Sequence, residues 1–289
     1  MSFGAGGADF IERRINLAGF ETRMLQSLVG RGRDDLSLLF LHGWSDSADT
    51  YKPLLRALAT HGIGGIAFDL PHCGRADDLR PGAHLPQFVA FARAAIDFAG
   101  KRVLPVGQSL GGRLVLMALA EGVAADVPAC VAIAPAPLVL PPWQRMLVRN
   151  GALAYGVSLL GQGERREQLV SDIVQSFRRS CFVAPDSIPD SVYADYASHY
   201  DPARVQRHIG ALRQIGEELA EPFDLSQLHC PVDLIWGTHD RLAPLAGAQS
   251  YQQLLPQAKL TVLQNCGHHV HLERVAEVAE FLMMRIDAG

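Results

Sequence analysis

The sequence has no basic tract and no Lys/Arg run interleaved with aromatics: 26 Lys and Arg stand against 30 Asp and Glu, a formal charge of −4 over 289 residues. That balance argues against a polyanion partner, and nucleic-acid binding is not expected. No stretch approaches the roughly 20 apolar residues that a membrane span needs. The apolar Leu138-Val139-Leu140 is stopped at once by Pro141 and Pro142. The opening Met1-Ser2-Phe3-Gly4-Ala5-Gly6-Gly7-Ala8 has neither the basic nor the apolar region of a secretory signal, and residues 1–9 read as a flexible tail. Cysteine is sparse as well. Cys73, Cys130, Cys181, Cys230 and Cys266 are odd in number and never spaced Cys-x-x-Cys, which fits reduced thiols in a cytoplasmic protein better than a disulfide framework or a zinc site. Internal repeats and low-complexity segments are absent.

What is present is a large apolar fraction, 48% of residues, enough for a substantial core. It is arranged in a recurring order. Residues 10–17 and 21–28 alternate apolar and polar around Gly19, the pattern of an antiparallel hairpin at a sheet edge. Short, nearly all-apolar runs at 36–41, 65–70, 102–106, 129–134, 232–236 and 259–263 read as strands covered on both faces. Helix-period segments lie between them at 51–58, 88–98, 113–120 and 246–255, with a last amphipathic helix over 272–286. This alternation predicts an α/β fold, a mainly parallel central sheet with helices on both faces.

The rhythm breaks between 138 and 222, where helical pieces appear without a convincing strand. This insertion carries Trp143, Tyr155, Phe177, Phe182, Tyr193, Tyr196 and Tyr200, punctuated by Pro185, Pro189 and Pro202. A long insertion between two sheet strands is read as a helical lid, set on a core of residues 10–137 and 223–289. Arg145, Arg149, Arg165, Arg166, Arg178 and Arg179 outnumber its nearby acidic residues, a pattern that an acidic substrate or acidic carrier protein would match and that a solvated helix face also explains.

The chemistry centres on Gly107-Gln108-Ser109-Leu110-Gly111, set between the apolar run at 102–106 and the helical run at 113–120. Gly-x-Ser-x-Gly in that context places a serine on a sharp strand-to-helix turn, with glycines wherever neighbouring chain passes close by. A serine hydroxyl is a weak nucleophile at neutral pH and needs a base, which needs an orienting acid. Asp240, just past the strand at 232–236, and His268, after the strand at 259–263, supply both in the order Ser, Asp, His and at one edge of a parallel sheet.

The chain resembles the α/β-hydrolase superfamily in its serine-nucleophile branch. The marks are His42-Gly43 after the third strand, Asp69-Leu70-Pro71, the serine turn, Gly237-Thr238-His239-Asp240 and Gly267-His268 with Glu273 behind it. The resemblance implies Ser109 as nucleophile, His268 as base and then acid, Asp240 as its orienter, and the backbone N–H groups of Trp44 and Leu110 as the oxyanion hole. It implies no cofactor and no metal, and Ser109 sets the chain apart from the aspartate-nucleophile branches, the haloalkane dehalogenases and α/β-fold epoxide hydrolases. The expected activity is cleavage of a carboxylic ester, or a related acyl bond, of a small and fairly apolar substrate. The same residues also serve carbon–carbon bond hydrolysis, acyl transfer or perhydrolysis, and a hydrolase fold can be kept for ligand binding alone.

Other residues compete for attention. His269 and His271 beside His268 invite a metal reading, but only Glu273 stands near them at ligand spacing, and packing or capping is preferred. Asp233 falls inside a strand pattern and is expected to point away from Asp240, and His239 is expected to be a loop histidine. His72 stands where the family often has glycine after Asp-Leu-Pro, so that turn is expected to differ. Arg274 and Val275 stand after Glu273 where a proline is frequent.

Overall fold

Leu38, Leu39, Phe40 and Leu41 are all almost fully buried, yet they serve two cores. Leu39 and Leu41 pack in the layer that holds Phe88, Phe91 and Leu114, whereas Leu38 and Phe40 pack in the layer that holds Leu54, Leu55 and Leu282. Strand side chains alternate with a period of about two, so a continuous apolar run is satisfied only by cover on both faces. The later parallel strands repeat the division: Val103, Ala132 and Leu234 join the first layer, and Leu104, Val131 and Ile235 the second.

The computed structural model describes residues 10–29, 36–138, 168, 172, 176, 179–188, 191 and 202–288. The chain opens with the predicted hairpin, β1 (Phe10–Leu17) and β2 (Phe20–Ser27). Its two-residue turn places Ala18 and Gly19 at φ of 50° and 83°, the backbone that matches the strands' twist. There follow β3 (Leu36–Leu41), α1 (Lys52–Ala59), β4 (Gly65–Phe68), α2 (Leu85–Ala99), β5 (Arg102–Gln108), α3 (Leu110–Glu121) and β6 (Cys130–Ile133). The insertion ends in α4 (Pro202–Ala220), and beyond it come β7 (Val232–Gly237), α5 (Ala246–Leu254), β8 (Lys259–Leu263), α6 (Val270–Glu273) and α7 (Val275–Ala288). The eight strands form one sheet in the order β1-β2-β4-β3-β5-β6-β7-β8. Pairings are antiparallel as far as β4 and parallel from β4 onward. Strand order reverses around β3, with β4 on one side and β5 on the other, and ligands in open parallel sheets bind at that reversal, beyond the strands' carboxyl ends.

Three helices differ from the sequence reading, α3 by starting at Leu110 rather than 113. α2 begins at Leu85, three residues ahead of the predicted start at 88, with a proline in its first turn where a missing N–H costs nothing. The predicted helix over 272–286 is two helices broken at Arg274 (φ −130°). The break has a cause: Arg274 donates from Nη2 to the carbonyls of Gln264 and Asn265, at 3.0 and 2.8 Å, and so ties the chain back to the end of β8.

Both ends of the insertion are held by one residue. Arg113, on α3 and fully buried, donates to the Pro137 carbonyl at 3.1 Å and lies over the Phe223 ring with its guanidinium carbon 4.3 Å from the centroid. α4 lies against α2, where Glu218 accepts the N–H of His84 at 2.9 Å and that of Leu85, closing the open start of that helix. The described residues of the insertion include no strand. Of the six arginines between 145 and 179 only Arg179 falls among the described residues, where it is exposed, and of the insertion's aromatics only Phe182 does. Among the described residues no helix is long and apolar enough to cross a membrane.

Candidate active site

Ser109 stands between the last residue of β5 and the first of α3 at φ 51°, ψ −115°, a backbone conformation a non-glycine residue rarely adopts. Such a position costs on the order of 1–3 kcal/mol and persists only where the surroundings over-determine it. Here its N–H donates to Ile133 O at 2.9 Å, and its carbonyl accepts from Ala136 N at 2.8 Å and Arg113 N at 3.1 Å. The two glycines of the motif have separate reasons. A Cβ on Gly107 would collide with the Gly111 carbonyl, and one on Gly111 with the carbonyls of Leu41 and His42.

The loop after β3 closes over this turn. Gly111 N donates to His42 O at 3.1 Å, and a Cβ on Gly43 would stand 3.1 Å from that of Ser109. His42 is fully buried and its tautomer follows from its bonds: Nε2 accepts from Leu70 N–H at 2.9 Å, so the proton lies on Nδ1, which donates to Gly43 O at 2.7 Å. A neutral imidazole thus bolts the β3 loop to the β4 loop. The β3 loop carries the Trp44 N–H and the serine turn carries the Leu110 N–H; among the described residues neither N–H has an acceptor.

Beneath the loop lies an ion cluster. Arg23 of β2 is buried and donates to both carboxylate oxygens of Asp49 (3.0 and 2.7 Å) and of Asp69 (2.9 and 3.1 Å). Burial works against its charge, but Asp69 and Asp49 outweigh it and hold the guanidinium above its ordinary value. Asp69 also accepts the N–H groups of Ala48 and Arg75, each at 2.8 Å. A Cβ on Gly74 would collide with its carboxylate. The Asp-Leu-Pro mark is therefore a structural anchor for the loop that reaches Ser109.

His268 and Asp240 meet as their order predicts: Nδ1 lies 2.7 Å from Asp240 Oδ2, with both residues buried. The other oxygen of Asp240 accepts from Leu242 N at 2.9 Å and Ala243 N at 2.7 Å, so its carboxylate is fixed before it meets the ring. His268 Nε2 has no partner among the described residues. The backbone around the ring is tied on three sides. His268 N–H donates to Cys181 O at 2.7 Å, and His268 O accepts from Gln108 Nε2 at 3.2 Å. Glu273 accepts Gly267 N–H with one oxygen and Val183 N–H, at 2.6 Å, with the other. Residues 181–184, midway along the insertion, are thereby strapped to the histidine turn.

The neighbours sort themselves differently. His269 stacks on Phe182, with centroids 5.1 Å apart, and His271 lies against Tyr51 at 4.7 Å. Burial, then the neighbouring His268 and His42, holds His271 neutral with its pKa lowered to about 3. Among the described residues no group of three or more His, Cys, Asp or Glu is arranged to hold a metal. Asp233 pairs with Arg285 of α7, and the exposed His239 sets its Nδ1 2.9 Å from Thr238 Oγ1. Burial, helped by Glu273, pushes the Cys266 thiol up to about 12, which keeps it a poor nucleophile. His72 corrects the expectation that its turn differs. It takes φ 70°, the left-handed conformation that glycine favours, and its ring stacks on Trp44 with centroids 6.0 Å apart.

Comparison with known proteins agrees with this architecture. The profile of the Alpha/beta hydrolase family matches residues 38–281, and the chain belongs to that family. A pimeloyl-[acyl-carrier protein] methyl ester esterase from Xanthomonas campestris is 27% identical over 267 residues, covering 88% of this chain and 95% of the relative. A 2-hydroxy-6-oxo-6-(2'-aminophenyl)hexa-2,4-dienoic acid hydrolase from Metapseudomonas resinovorans is 25% identical, covering 96% of this chain and 93% of its own. Among solved structures, an esterase from Exiguobacterium antarcticum superposes with a TM-score of 0.70 at 16% identity, over 92% of this chain and 96% of that one, a likeness of fold.

Sequence reasoning did not reach Arg23, Asp46, Asp49, the Gln108 amide or the strap at Cys181. Arg23 had a faint signal, a charged residue on an edge hairpin beside apolar Met24 and Leu25. The others carry no local pattern.

Proposed function

We propose that the protein is a serine hydrolase that cleaves a carboxylic ester or related acyl bond of a small, fairly apolar substrate through an acyl-enzyme. The observation that carries this reading is the hydrogen-bonded chain Asp240–His268 with its backbone tied to Gln108, the residue before the strained Ser109. In this reading Ser109 Oγ attacks the acyl carbonyl while His268 Nε2 takes its proton. The Trp44 and Leu110 N–H groups receive the oxyanion, and preorganised donors of this kind lower a barrier by about 3–4 kcal/mol each. The leaving alcohol departs with the proton from His268, and water deprotonated by the same nitrogen then releases the acid and restores Ser109.

Residues 138–222 are the lid of this reading, with Arg113 holding both its ends on the core. The esterase relative that acts on an acyl-carrier-protein-linked methyl ester supports an acyl substrate and leaves an acidic carrier as a candidate partner. Five free thiols favour a reducing compartment such as the cytoplasm. The test is turnover of p-nitrophenyl esters of graded chain length by the wild type and Ser109→Ala. Loss of turnover in the variant is expected; equal rates would end the reading.

A second reading is carbon–carbon bond hydrolysis of a dienone-type diketone, favoured by the dienoic acid hydrolase relative, which covers 96% of the chain. A panel pairing such diketones with esters separates the two, and activity on esters alone discards it.

A further inference from the structure

Two buried polar atoms beside the candidate site face each other without a hydrogen bond. Asp46 follows Trp44 by two residues in the loop after β3. Its N–H donates to Gly43 O at 3.3 Å and its Oδ1 accepts from Ser47 N at 2.8 Å. Its Oδ2 is buried with no hydrogen-bond partner and lies 3.9 Å from Nδ1 of His269, which is also buried and without one among the described residues. Neither group can turn away. The His269 ring lies nearly parallel to Phe182, with an 18° interplanar angle, and meets His268 edge-on with centroids 5.7 Å apart.

A bare carboxylate there would be unsatisfied, and a buried polar group without a partner costs roughly 1–3 kcal/mol, more when charged. The surroundings say where a proton belongs. Asp46 feels the carboxylates of Asp49 and Asp69, both already committed to Arg23, together with the Thr50 and Tyr51 hydroxyls, the buried Cys181 thiol and His269. Burial first, with Asp49 and Asp69 adding to it and outweighing the opposing hydrogen bonds from Ser47 N–H and the Thr50 hydroxyl, makes Asp46 hold its proton well above the ordinary carboxylate range. Burial first, then His271 and His268, makes His269 shed its second proton well below the ordinary imidazole range. The proton therefore sits on Asp46, and Nδ1 of a neutral His269 is its acceptor.

We propose that Asp46 and His269 are a positioning pair: an Oδ2–H on Asp46, directed at His269 Nδ1, joins the turn that carries the Trp44 N–H to the loop that carries His268. The inference rests on the serine-hydrolase reading, in which that N–H and that imidazole must stand on opposite sides of one acyl group. It also explains how a third buried carboxyl group can stand within reach of Asp49 and Asp69 without a cation of its own. A neutral pair adds no charge to compete with Asp240 when His268 takes up a proton.

The test compares Asp46→Asn, which keeps a donor toward Nδ1, with Asp46→Leu, which has none, and with His269→Phe, which keeps the stacking and removes Nδ1. The expected result is that Asp46→Asn stays within about twofold of the wild type in kcat, while Asp46→Leu and His269→Phe lose about tenfold to a hundredfold with KM little changed, the scale set by a small misplacement of reacting groups. The double variant Asp46→Leu/His269→Phe should lose no more than either single one. The imidazole 15N signal of His269 Nδ1 should move in Asp46→Leu and stay in Asp46→Asn. Losses in Asp46→Asn equal to those in Asp46→Leu, wild-type kcat in Asp46→Leu, or an unmoved Nδ1 signal would each overturn the pair. Fluorophosphonate labelling of Ser109 keeps the two claims apart. An unlabelled, unreactive wild type defeats the serine-hydrolase reading, whereas the 15N comparison still decides the pair.

Discussion

Gln108 Nε2 donates to the main-chain carbonyl of His268 at 3.2 Å, across 160 positions of sequence. The residue that precedes the strained serine thus holds the backbone of the histidine that would serve it. Two catalytic partners on separate loops can be placed to a fraction of an ångström only if something other than the substrate ties those loops together.

Gln108→Leu removes that tie together with the buried Oε1, which has no partner among the described residues. Loss of one net hydrogen bond of about 1 kcal/mol predicts a fall in kcat of about fivefold. The melting temperature should change little, because the unsatisfied oxygen leaves with the amide. Steady-state kinetics beside a thermal melt check both halves.

Asp240→Asn keeps the shape of the acid and loses its charge. The two N–H groups on Oδ1 hold the carboxamide in place, but an amide nitrogen turned toward His268 Nδ1 imposes the wrong tautomer. The expected fall in kcat is about 10⁴-fold, with the fold intact by circular dichroism. A loss of less than about tenfold would remove Asp240 from the reaction.

His271 gives the stability a signed pH dependence. Its folded pKa, about 3, lies below the ordinary value of 6.5, so the unfolded chain binds the extra proton between those limits. The contribution is complete above pH 6.5 and is lost as pH falls toward 3, by roughly 1.4 kcal/mol per unit in that window. His271→Leu should flatten this part of the urea-stability profile, and His269, lowered for the same reason of burial, leaves a residual slope.

Arg23→Met strands Asp69 in the interior without its cation and leaves Asp49 only Lys52. Removing one partner of a buried charge network costs about 3–5 kcal/mol. A lower urea midpoint at neutral pH, partly recovered on acidification as the carboxylates protonate, is the expected result.

Much of the fold was legible because it follows from short-range rules. Period-two burial in β3, the hairpin at Ala18-Gly19 and the glycines around Ser109 are all imposed within a few residues by sterics and by apolar cover. The order of Ser109, Asp240 and His268 is likewise visible, since a parallel sheet delivers the ends of its strands to one edge. His72 marks the limit of such reading. The loss of a glycine implied a different turn, yet the histidine adopts the same left-handed backbone because its N–H and O are both taken, by Asp77 O at 2.6 Å and His208 Nε2 at 2.5 Å.

By itself, then, the chain's pattern determined the layers, the mainly parallel sheet with its edge hairpin and the serine turn, which are consequences of local geometry and of where apolar residues fall. Which polar groups lie beneath that turn was decided by tertiary structure alone. Arg23 reaches Asp49 and Asp69 from 26 and 46 residues away. Asp46 faces His269 from a different loop, and Glu273 joins the histidine turn to the middle of the insertion. A hydrogen bond or ion pair between distant segments has no periodicity to betray it: its partners are chosen by burial, which leaves each polar group only the few neighbours that packing brings within about 3 Å.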